Sequence, residues 1–186
     1  MTSPVRSLLV LAIAATVSLP PAYAQTGATT VQAPAKPLTS AEKKFIKDAA
    51  EQMVAEIHLV EITKHGETGS AELKKSNAEM NKDLGEAWGA LATIAQNNKV
   101  DFPKTDTTAA EKSTLEKLRK QETDKFDKAF LKVISKETKK TAQIFKTAEK
   151  SVQNPELKAY ITTWGPKIAA HHEQVEAAED AAKKAK

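Results

Sequence analysis

The sequence predicts an all-α protein, an antiparallel four-helix bundle that follows a cleaved signal peptide and a flexible linker. Three observations carry that reading. Long segments place apolar residues at alternating three- and four-residue steps, the period of one helix face. Helix-start signals precede them: Thr39 with Glu42, Thr108 with Glu111, and Asn154 with Pro155. No stretch shows the two-residue alternation of a half-buried strand, and no repeat of fixed period suggests a solenoid.

The order of elements follows from local chemistry. Arg6 precedes an apolar run from Leu8 to Leu19, and Ala22-Tyr23-Ala24 has the small-x-small form of a cleavage site, so residues 1–24 read as a secretory signal peptide. The run is broken by Pro20 and Pro21 and is shorter than a membrane span requires. Residues 25–38 carry Gly, Ala, Thr and prolines without a period and read as a disordered linker. The bundle is expected over 39–182, with 183–186 a frayed tail whose lysines suit a helix C-terminus.

The first helix is organised by the stretch Phe45 to His65. Ile46, Ala49, Met53, Ile57 and Val60 form its apolar face, with Gly66 expected as a left-handed stop. The second runs from Ser70 to Asn98 on Leu73, Asn77, Met80, Leu84, Ala87, Leu91 and Ile94, with Trp88 beside the stripe. After a connection containing Pro103, a helical segment bears Leu115 and Leu118. A further one bears Phe126, Phe130, Ile134, Thr138, Thr141, Phe145 and Ala148. Propensity leaves open whether the chain bends at 121–124. The last helix starts at Asn154-Pro155 and continues on Leu157, Ile161, Trp164, Ile168, His171, Val175 and Ala178, with a kink expected at Gly165-Pro166.

Composition narrows the function classes. The chain has 186 residues, no cysteine and a formal net charge of +4. Removing the signal peptide removes one arginine and no acid, leaving +3. Lysine is interleaved with Glu and Asp along the chain, which reads as a solvated surface rather than a nucleic-acid stripe with aromatic residues between the cations. Without disulfides, an exported protein of this kind is held by its core.

Each long helix places one candidate metal ligand on or beside its apolar face: Glu56, Asp83, Glu137 and His171. A carboxylate in such a position needs a proton, a cation or a donor. Carboxylate-bridged di-metal bundles use Glu-x-x-His pairs, whose i, i+3 spacing points both side chains at one ion. No such pair occurs here. Three carboxylates and one imidazole fall short of a dinuclear set and could hold at most a single, weakly bound divalent cation. The alternative is a polar core set in which Glu56 and His171 bond each other and fix helix register. His58, His65 and His172 read as solvated surface, and Trp88 and Trp164 as core or interface fillers. No nucleophile elbow, phosphate loop or Cys/His cluster is present, so no catalytic residue and no cofactor is assigned.

The ordered landmarks Phe45 with Ala49-Ala50, Ala55-Glu56-Ile57, Met80 with Asp83, Val100 to Pro103, Phe126-Asp127-Lys128-Ala129-Phe130, Asn154-Pro155-Glu156-Leu157-Lys158, and Pro166 with His171 resemble the domain of unknown function family 4142. The resemblance spans about Phe45 to Ala178. It implies an exported bacterial protein with a ferritin-like bundle, of a kind often described as outer-membrane proteins. The family pattern has an imidazole where Leu84 follows Asp83 and another where Thr138 follows Glu137; Glu56 and His171 match it. The expectation is therefore a non-catalytic bundle of the bacterial cell envelope, stress-related or partner-binding, periplasmic or outer-membrane associated, as a monomer or weak dimer. The alternatives are a metal-binding or redox ferritin-like protein using Glu56, Asp83, Glu137 and His171, and an adaptor whose lysines meet anionic envelope surfaces.

Overall fold

The structure, a computed structural model, describes residues 37–64 and 69–184, apart from the side chains of 123 and 124. The expected signal peptide, most of the linker, His65, Gly66 and the end of the tail lie outside the described residues. Among the described residues there are five helices and no strand: α1 (Ser40–Glu61), α2 (Ala71–Asn97), α3 (Ala109–Arg119), α4 (Thr123–Ser151) and α5 (Pro155–Lys184). None is long and apolar enough to cross a membrane.

The start signals act as the sequence predicts. Thr39 and Thr108 each form a reciprocal capping box with the glutamate three residues on. Ser70 caps α2 by accepting from the Leu73 N–H at 3.2 Å. Asn154 Oδ1 accepts from the N–H groups of Glu156 and Leu157 at 3.0 and 3.1 Å, so proline follows a satisfied cap. Gly69 precedes α2 with φ +93°, and a Cβ there would only touch Phe126 and Asp127 at 3.4 Å. The left-handed backbone, rather than lack of space, explains a glycine there.

The four long helices run antiparallel to the neighbours they pack against. Gln52 near the middle of α1 meets Glu137 in α4, whereas Glu42 at its start meets Gln153 beyond the end of α4. Asp83 meets His171 and Asn98 meets Glu156, which sets α2 against α5 in the same sense. The helices α4 and α5 form the most extensive pairing, and α3 packs back on α4. The bend left open at 121–124 is thus a break between α3 and α4. The chain turns there because Leu115 and Leu118 are buried only when α3 folds back. By contrast α5 continues through Pro166; the Thr162 carbonyl, deprived of its helical donor by the proline, lies on an exposed turn where water can satisfy it.

The core is aliphatic with two aromatic clusters. Phe45, Phe145 and Tyr160 bring α1, α4 and α5 together with ring centroids 5.5 to 6.4 Å apart. Tyr160 also donates its hydroxyl to the Ala87 carbonyl at 3.1 Å, tying α5 to α2. Phe126 and Phe130 stack at 5.7 Å, with Phe126 beside Gly69. Leu38, assigned to the linker from sequence, is buried in this core.

Candidate functional site

Helical spacing turns Glu56 inward between Met53 and Val60, and it is 1% exposed. The Thr141 hydroxyl, from α4, donates to its carboxylate. Burial pushes the Glu56 carboxyl up to about 8; the Thr141 bond opposes this, the Glu137 charge adds to it, and Lys140 opposes it. At neutral pH the side chain is mainly protonated, which resolves the cost of burying a charge.

Asp83 and His171 meet on the α2–α5 side. His171 Nε2 lies 3.1 Å from Asp83 Oδ2, and Lys167 Nζ lies 2.8 Å from Oδ1. Burial raises the Asp83 pKa, but the Lys167 hydrogen bond and charge and the His171 contact outweigh it, so the carboxyl stays below its ordinary value. The Lys167 ammonium also sits 4.8 Å from the Trp164 ring centroid. Glu137 is occupied separately, accepting from Gln52 at 2.6 Å and from Lys140 at 2.8 and 2.9 Å.

These contacts correct the pairing expected from sequence. Glu56 and His171 do not bond each other: the first is held by Thr141 and the second by Asp83. Of the four candidate ligands only Asp83 and His171 are joined. Among the described residues no three His, Cys, Asp or Glu side chains converge as a metal-binding group would require. Leu84 and Thr138, where the family pattern has imidazoles, are 0% and 1% exposed; Thr138 instead contacts His172 Nδ1 at 3.3 Å. His172 is therefore half-buried and engaged rather than solvated. His58 is also not a surface residue, since its Nδ1 is buried without a hydrogen bond, 3.9 Å from Glu111.

A second buried carboxylate is legible in the sequence only in part. Glu42 is 4% exposed; its Oε2 accepts from the Thr39 backbone and hydroxyl, while Oε1 accepts from the N–H groups of Gln153 and Asn154 at 2.8 and 2.7 Å. Burial raises its pKa, but the backbone donors of Thr39, Asn154 and Gln153 outweigh it and bring the carboxyl to about 2. The spacing from Thr39 signals the capping box. Nothing local signals the second contact, more than a hundred residues away.

The description Domain of unknown function (DUF4142) belongs to a family profile that matches residues 27–178. The chain belongs to this family. No curated protein and no solved structure shows significant similarity to it. In this DUF4142 protein the FDKAF and NPELK landmarks fall in the opening turns of α4 and at the start of α5. Phe126, Phe130 and Leu157 are fully buried and Asn154 is the helix cap, so these landmarks mark packing and capping.

Proposed function

We propose that the protein is an exported, non-catalytic, ferritin-like four-helix bundle of the bacterial cell envelope, periplasmic or outer-membrane associated, working by persisting or by binding a partner. In this reading Glu56, Asp83, Glu137 and His171 are a polar core set. The observation that carries it is their division among separate protein partners: Thr141 for Glu56, Lys167 and His171 for Asp83, Gln52 and Lys140 for Glu137. A divalent ion would have to displace those partners and deprotonate Glu56 in a desolvated setting.

The test is elemental analysis of purified protein with thermal melts before and after adding zinc or manganese. The expected result is substoichiometric metal and an unchanged melting temperature, since a ligand that binds only the native state would raise it. One equivalent of metal, lost in Glu56→Ala or His171→Ala, would replace this reading with the metal-binding or redox one. Export is tested separately, by finding the chain outside the inner membrane with its new N-terminus at Gln25.

A further inference from the structure

The basic charge of this protein is not distributed over its helices as the interleaved sequence implied. The helix α4 holds eight lysines against four acidic residues, a net of +4, equal to that of the whole chain. By the same count α1 is −2, α2 −1, α3 +1 and α5 −1. The concentration is also directional. Lys128, Lys132, Lys136, Lys139, Lys146 and Lys150 follow the three-four step, with Gln143 completing the series, and all six lysines are exposed. At about 100° per residue they fall within roughly 80° of arc, opposite the buried Phe130, Ile134, Thr141 and Phe145. Their span of 22 residues corresponds to about 33 Å, with a cation on average about every 6.6 Å and the widest gap at Gln143. Among the described residues none of the six forms an ion pair, whereas Lys125 and Lys140 on the same helix each pair with a glutamate.

Six exposed ammonium groups in one line repel each other, so the arrangement gains most from an anion with matching repeat. We propose that the solvent face of α4 is a docking track for a linear anionic polymer, a glycan-type or similar chain bearing carboxylate, sulfate or phosphate groups spaced several Å apart. Charge complementarity and shape select this occupant. The exposed residues from Lys125 to Lys150 are Lys, Gln, Thr and Glu, so the track offers no apolar side chain to enter a bilayer. It also offers no aromatic ring to stack on a nucleic-acid base. Glu149 and Glu173 line the groove between α4 and α5 on one flank. A flat anionic membrane would meet those carboxylates along with the lysines, while a single chain on the crest of α4 avoids them. The inference stands apart from the proposed envelope role, because polymer binding, export and metal content are read independently.

The experiment uses heparin as the anionic polymer and phosphatidylglycerol vesicles as the anionic membrane, with purified protein at a series of salt concentrations. Lys132→Gln/Lys136→Gln/Lys139→Gln is compared with Lys43→Gln/Lys75→Gln/Lys112→Gln, which removes the same charge from exposed lysines on other helices that form no ion pair among the described residues. Circular dichroism checks that both fold. The expected result is heparin affinity that falls roughly tenfold or more in the α4 variant, with a shallower salt dependence because fewer counterions are exchanged, and that changes less than about twofold in the control. Equal losses in the two variants would reduce the effect to bulk charge and overturn the track. So would absence of heparin binding at low salt, or stripe-dependent binding to vesicles in preference to heparin.

Discussion

Glu42 and Glu56 lie on the same side of α1, fourteen positions apart, and both are buried, at 4% and 1% exposure. Their proton affinities diverge to about 2 and about 8. Glu42 sits at the end of the bundle, where the first turn of α1 and the α4–α5 connection present backbone N–H groups that have no helical acceptor. Glu56 sits mid-helix, where every N–H is already used, and finds a single hydroxyl from Thr141. Both side chains are covered, but Glu56 lies much deeper in the core than Glu42, so depth of burial and the supply of donors together set the charge state.

The largest loss of stability is expected from Glu42→Ala. It leaves the N–H groups of Gln153, Asn154 and Thr39 without their acceptor and should cost about 3 kcal/mol in chemical denaturation. A loss below about 0.5 kcal/mol would mean water replaces the carboxylate. Because the folded pKa is lowered, this stabilisation is fully present above the ordinary value of 4.5 and disappears as pH falls toward about 2.

Glu56→Gln should act in the opposite sense. Its folded pKa is raised, so its stabilisation is complete below pH 4.5 and is lost as pH rises through about 8. The amide keeps an acceptor for Thr141 and never ionises. At pH 8 it should stabilise by up to about 4 kcal/mol, about three pKa units at about 1.4 kcal/mol each, and at pH 4.5 it should be near neutral. Melting curves across that window check both; a pH-independent difference would remove the protonation argument.

Smaller losses separate the remaining partners. Thr141→Val deletes the one bond favouring ionised Glu56, and should destabilise by about 1 kcal/mol while raising the Glu56 pKa further. His171→Ala leaves Asp83 with Lys167 and should cost about 0.5–1 kcal/mol, without altering the pH dependence that Glu56 imposes. A change in the Glu56 titration in that variant would restore the pairing that the sequence suggested.

Much of the helical framework was readable because it is local. Capping boxes at Thr39 and Thr108, the Asn154-Pro155 start and the three-four stripes each depend on residues within a few turns. The inward placement of Glu56 followed from the same periodicity. Its partner did not, because Thr141 and His171 both lie on apolar faces and only the packing of α1 against α4 chooses between them. Likewise the break after α3 depends on where Leu115 and Leu118 are buried, which propensity does not encode. The lysine track was readable in principle. Interleaving hid it, since Lys alternates with Glu, Thr and apolar residues along the chain yet gathers on one side once the chain is helical.

The central claim is that Glu56 is a protonated core group held by Thr141, outside any metal centre. Its side-chain carboxyl carbon can be followed by NMR through a pH titration, with and without added zinc or manganese. The account predicts a midpoint near 8 that added metal leaves in place. A midpoint near the ordinary 4.5, or one that falls by units when metal is added, would contradict it.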